Sequence, residues 1–188
     1  MEEGPVSAIA MPQLRRHLVL PAAAAALVAL AAPGAASAKV CHHTKADPND
    51  VSLHKVQTAT LCLLNNQRRR HGLPRVSENH RLDLASMRHA RDMAAHNFFE
   101  HGDYVGRIKR ADYLDGAGSW TVGENLAWGA GPYATPKAIV RMWMDSPGHR
   151  ANILSRRFHE IGIGIAHGVP RSGLAGGATY ATDFGARG

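Results

Sequence analysis

Three side chains stand out as able to do chemistry: His101 after a pair of Phe residues, Glu124 between Gly123 and Asn125, and His149 in Ser146-Pro147-Gly148-His149-Arg150. Imidazole nitrogen is a good zinc ligand, and a carboxylate beside it orients the ring or a bound water. Spacing alone does not bring the three together. His96, Glu100 and His101 depart from the inverted zinc-protease motif, which places two residues between its first His and its Glu where this chain has three. Residues five apart lie about 140° apart around a helix, so His96 and His101 would not share a metal. Nucleophile signatures are absent: there is no Gly-x-Ser-x-Gly elbow and no Cys-x-x-Cys, and Ser146 near His149 is a weak pattern. Cys41 and Cys62 form an even pair in a chain with an export pattern, described next, and are expected to bridge. Such a bridge closes a loop of about 20 residues, worth roughly 3 kcal/mol in the chain-entropy picture.

The chain has 188 residues, 45% apolar and 20% charged, with 19 Gly and 10 Pro; this is the mixture of one globular domain, and it excludes collagen-like, coiled-coil and fully disordered classes. Arg15-Arg16 precede an apolar run from Leu18 to Ala32 that ends at Ala36-Ser37-Ala38, the pattern of a secretory signal peptide over residues 1–38, cleaved after Ala38. The run falls short of the roughly 20 residues a spanning helix needs, so no transmembrane span is expected in the mature chain. Residues 1–10 carry Glu2 and Glu3, unusual for such a signal, which makes Met11 an alternative start. Removing residues 1–38 takes two Arg and two Glu, so residues 39–188 keep the net charge of +7. That charge suggests affinity for anionic surfaces such as envelope polymers, lipid headgroups or nucleic acid, and by itself chooses none of these. Nucleic acid ranks last, because export removes the usual partner and the basic run Arg68-Arg69-Arg70 reads as a solvated helix end.

Residues 39–50 read as a flexible, irregular arm with a turn at Asp47-Pro48-Asn49-Asp50. Leu53, Val56, Leu63 and Leu64 mark a first helix ending at Gly72. A second helix is predicted from about His80 to Asn97, with Leu82, Ala85, Met93 and Ala94 inside and Arg81, Arg88 and Arg91 in solvent; His89 reads as a packing or hydrogen-bonding residue. Residues 102–119 read as loop with at most a short helix. Thr121–Trp128 reads as extended, and Thr135-Pro136 cap a helix through Met144 that Ser146-Pro147-Gly148 stops. Trp128 and Trp143 read as core. Ile161, Ile163 and Ile165 alternate with Gly, and Thr179–Phe184 forms a second run, together a hairpin with a long connection. Gly162 and Gly164 imply a close-packed helix or backbone on the other face. The order, helices first and strands last, predicts an α+β domain.

The blocks Asn97-Phe98-Phe99-Glu100-His101, Gly123-Glu124-Asn125-Leu126-Ala127-Trp128, Trp143 to Leu154, and Ile161-Gly162-Ile163-Gly164 resemble, in this order, the signature of the CAP superfamily. This superfamily is also called SCP-like and includes cysteine-rich secretory proteins, antigen 5 and pathogenesis-related type 1 proteins; Ser-Pro-Gly-His-Arg is similar to its bacterial, secreted branch. The resemblance implies a three-layer α–β–α sandwich over residues 51–188 and a cleft where His101, Glu124 and His149 meet. The family's second acid has no clear counterpart, Asp145 being the residue nearest its place. The resemblance also implies that His101 and His149 are candidate ligands of a divalent metal such as zinc. Three functions follow as expectations. The first is an extracellular binding or interaction module. The second is a peptidase-like hydrolase using His101, Glu124 and His149, and the third a lipid or sterol carrier.

Overall fold

The computed structural model describes residues 39–188, so the signal-peptide reading of residues 1–38 lies outside the described residues. Residues 39–50 form an irregular arm in which the Asp47 carboxylate accepts from the Asn49 backbone and side-chain amides. The arm is fixed at several points. The Cys41–Cys62 disulfide, with Cα atoms 5.8 Å apart, ties it to the first helix; Lys39 O accepts from Asn66, and Thr44 O accepts from the Lys137 backbone.

Ten elements follow, a 3₁₀ turn among them. They are α1 (Leu53–Arg70), β1 (Ser77–Glu78), α2 (His80–His96), α3 (Tyr104–Arg110), β2 (Trp120–Gly129), the 3₁₀ turn (Gly131–Ala134), α4 (Pro136–Asp145), α5 (Pro147–Ile153), β3 (Glu160–His167) and β4 (Ala178–Arg187). The strands form one mixed sheet in the order β1-β3-β4-β2. β3 and β4 are the expected antiparallel hairpin, β2 pairs antiparallel with β4, and β1 pairs parallel with β3. β2 is an outer strand, which matters for the site. No helix among the described residues is long and apolar enough to cross a membrane.

Side-chain alternation along β3 builds the three layers. Ile161, Ile163 and Ile165 join Val56, Leu64, Ile139 and Trp143 in the core beneath α1 and α4. On the opposite face Gly162 and Gly164 let α2 lie directly on the sheet, and a Cβ at either position would strike the backbone of Leu82–Asp83 or of Ser86–Met87. α2 buries Leu82, Ala85, Ser86, His89, Ala90 and Met93, begins on the Asn79 side chain, and ends at Asn97 in the left-handed region (φ 56). Gly162→Ala must push a helix off a sheet, so it is expected to cost about 1–3 kcal/mol or more, the range for overpacking. Urea unfolding of that variant checks this, and an unchanged midpoint would contradict the packing argument.

The expected stop holds, since Ser146 ends α4; Pro147 then opens α5 at its first position, where a missing N–H costs nothing, so His149 lies on a helix. One reading needs correction. The Arg68-Arg69-Arg70 run is not a solvated end throughout: Arg68 is fully buried. Its guanidinium donates to the carbonyls of Pro74, Ile153, Ser155 and Phe158, stitching α1 to the end of α5 and the turn into β3. Arg70 is exposed as expected. Trp143 is fully buried and donates to Leu126 O, whereas Trp128 is half-buried on the outer strand.

Candidate functional site

Glu124 lies in the middle of β2 with its side chain on the α2–α3 face. It is directly opposite Asp183 of β4, which is opposite Gly162 of β3. Each oxygen of its buried carboxylate has a partner. Oε1 accepts from His101 Nδ1 at 2.8 Å, and Oε2 accepts from Arg107 Nη2 at 2.6 Å. A carboxylate only accepts, so His101 carries its proton on Nδ1 and Nε2 is the ring's open position. The His101 side chain remains 53% exposed, against 1% for Glu124.

Neighbouring structure places both partners. His89 in α2 is buried, and its Nε2 donates to the Glu100 carbonyl, which fixes the residue just before His101. Burial and then the nearby Arg107 lower the His89 pKa, consistent with a neutral ring making that bond. Asp103 caps α3 by accepting from Gly106 N, which brings Arg107 round in the first turns. Arg107 Nη2 also donates to the His101 carbonyl at 2.8 Å, so one guanidinium ties loop and strand together.

His149 reaches the site from the other helical layer. Asn125, the residue after Glu124, donates to the His149 carbonyl; Asn152 donates to the Glu124 carbonyl and to the Asn125 side chain. α5 is thereby laced to the outer strand at the height of Glu124. The His149 Nδ1 is shielded from solvent and has no hydrogen-bond partner. Its pKa is lowered by burial and, secondarily, by the charge of His101, so the two rings feel one another across the edge of β2.

The structure brings His101, Glu124 and His149 together. It does not bring Asp145, whose side chain is 71% exposed at the end of α4 with Arg141 as its ionic partner at 3.6 Å. The second acid beside Glu124 is Asp183, fully buried, with no N–H or O–H donor on either oxygen. Burial raises its pKa well above the ordinary carboxyl value, the adjoining Glu124 raises it further, and Arg107 opposes this. That direction favours the protonated form of Asp183, whose carboxyl stands beside Glu124 across the β2–β4 pair. Asp183 and Arg107 are the site residues that sequence reasoning missed. The signal for Asp183 was a charged residue inside an apolar strand run; for Arg107 there was none, since residues 102–119 show little periodicity.

Were a divalent metal bound here, His101 Nε2 and the unpartnered His149 would be its imidazole donors, and Glu124 would stand behind His101 as an orienting carboxylate. Among the described residues, no three His, Cys, Asp or Glu side chains gather closely enough to hold a metal ion. A metal there would complete its shell with water or ligand.

A family model described as the cysteine-rich secretory protein family, CAP, matches residues 61–177. The chain belongs to this family. The CAP domain is 32% identical over 134 residues to the uncharacterized protein YkwD of Bacillus subtilis (strain 168), covering 69% of this chain and 49% of YkwD. It also superposes on an extracellular SCP-domain protein of Bacillus anthracis with a TM-score of 0.53 at 25% identity, covering 71% of this chain and 43% of that one. An outer surface protein of Borrelia burgdorferi shares the fold at 15% identity and TM-score 0.59, covering 73% of this chain and 97% of that protein. The CAP domain therefore spans about half the length of YkwD and less of the B. anthracis protein. The α+β sandwich expected from the four sequence blocks is the fold of these relatives.

Proposed function

We propose that this CAP domain is an extracellular binding module for an anionic envelope component, with a separate cleft at the outer edge of β2 where His101 and His149 hold a divalent metal such as zinc. Export rests on the signal pattern and the disulfide, and the B. anthracis relative is itself described as extracellular. One observation carries binding over hydrolysis: both oxygens of Glu124 are held, by Arg107 and His101. A general base must be free to take a proton from water, and Glu124 is committed as an anchor. The chain's own residues orient His101 through Glu124 and hold α5 in reach through Asn125 and Asn152. A bound metal would add a Lewis-acidic centre for a ligand's oxygen atoms.

Calorimetric titration of zinc into the full chain, beside a His101→Ala/His149→Ala variant shown folded by circular dichroism, tests this. Stoichiometric binding that the variant lacks is the expected result. No binding, or binding equal in the variant, overturns the metal-binding cleft.

A further inference from the structure

Away from the cleft, the outer face of α4 carries a row one helical turn apart: Lys137, Arg141 and Asp145. The row is the shared wall of two grooves. One, of about 770 Å³, runs from Pro132 and Tyr133 past Ala138 and Met142 to Ser146. The other, of about 530 Å³, lies between α4 and α1 and is lined by Leu63 and Met144 together with Lys39 and Arg70. Tyr133 is 72% exposed and Met142 42% exposed, large side chains left in water. Four cations face a single acid there, and that acid, Asp145, already has Arg141 as a partner.

We infer that this face is a docking surface for an acidic polysaccharide, with a sugar ring stacked on Tyr133 and successive carboxylates on Lys137 and Arg141. This inference rests on the reading of the chain as an extracellular binding module and names its partner class. The charge pattern selects an anionic ligand. The shape suits a chain: Lys137 and Arg141 stand one turn, about 5.4 Å, apart, comparable to the step between sugar units, and an exposed aromatic ring offers an apolar body with a polar tip. A bilayer calls for a broad apolar face with cations at its border. Here Tyr133 and Met142 are the exposed large apolar side chains, and the cations form the central ridge. The grooves contain none of the residues of the His101–Glu124–His149 site, so the surface works whether or not the cleft binds metal.

The test uses the full chain and oligomeric polygalacturonate as probe, with neutral dextran of matched length and phosphatidylglycerol vesicles as comparators. Polygalacturonate is expected to bind, more weakly as salt rises, and dextran is not. Tyr133→Ala is expected to weaken binding about tenfold, equivalent to about 1.4 kcal/mol, while keeping its salt dependence. Lys137→Gln/Arg141→Gln weakens it at least as much and flattens the salt dependence. The His101→Ala/His149→Ala variant binds the polymer as the parent does, which separates this surface from the cleft. The inference is overturned by absence of polygalacturonate binding, by unchanged binding in both groove variants, or by vesicles binding where the polymer does not. Loss of polymer binding in the His variant would move the polymer to the cleft, and so also overturn it.

Discussion

Arg68→Ala is expected to lower the unfolding free energy by about 3–5 kcal/mol, the scale for removing one partner from a buried charged network. Against a typical total of about 5–15 kcal/mol, that is a large share. The side chain is fully buried, with Nε donating to Pro74 O at 2.8 Å, Nη1 to Ile153 O at 2.8 Å and Ser155 O at 2.9 Å, and Nη2 to Phe158 O at 3.2 Å. Burial lowers its pKa, but guanidinium stays charged in proteins. Alanine strands the Pro74 carbonyl in the loop after α1 and three more at the end of α5 and in the turn to β3. Arg68→Lys recovers little, because an ammonium head cannot span carbonyls that a planar fork reaches together. Arg70→Ala, two residues away but exposed, should stay within about 0.5 kcal/mol. Guanidinium unfolding of the three variants decides the matter; an Arg68→Ala loss below about 1 kcal/mol would contradict the burial argument. Because Ile153 closes the helix that carries His149, the same variant should also weaken zinc binding at the cleft.

The Arg run shows where sequence reading reaches its limit. Three cations at a helix end satisfy the helix dipole equally well, and nothing local distinguishes the one that turns inward. That choice belongs to α5 and the turn after it, far along the chain, which deliver the carbonyls. The Ile/Gly alternation of β3, by contrast, states its own geometry, since one face must be apolar and the other must admit a helix. Thr135-Pro136 likewise announces a helix start from local backbone chemistry alone, and the structure has Thr135 Oγ1 accepting from Ala138 N. His101, Glu124 and His149 were legible through the resemblance of their flanking blocks, while their meeting depends on β2 being outermost in the sheet. Asp145 stands nearest the place, shortly after Trp143, that the resemblance gives to a second acid, and its carboxylate pairs with Arg141 instead. Asp183 lies beside Glu124 through strand register, and register is invisible until β2 and β4 are paired.

Asp183→Asn is expected to make the protein more stable at neutral pH, by an amount that grows with pH. A carboxyl whose native pKa is raised binds its proton more tightly folded than unfolded. Its contribution is therefore fully present below the unfolded value, about 3.9, and is lost as pH rises toward the native value. Each pH unit in that window costs about 1.4 kcal/mol while the native Asp183 keeps its proton. Asparagine has the same shape and stays neutral without drawing a proton from solution, so the variant escapes this loss. Other groups also make stability depend on pH. Asp83, pushed up to about 6 chiefly by burial, adds a loss of the same sign below that value. His89 and His149, lowered by burial, weaken the fold as pH falls through the ordinary His range. These are common to parent and variant, so the difference between the two curves isolates Asp183. The groups facing it are Glu124 from β2 and Arg107 from α3. Urea unfolding at intervals from about pH 5 to about pH 8 should show the variant's advantage widening. A constant difference would mean that Asp183 is ionised in the native protein and that Arg107 balances two carboxylates. Zinc titration of the same variant separates position from charge: if the proton on Asp183 serves to hold Glu124 against His101, Asp183→Asn binds as the parent does, whereas Asp183→Leu, which packs but cannot donate, binds less.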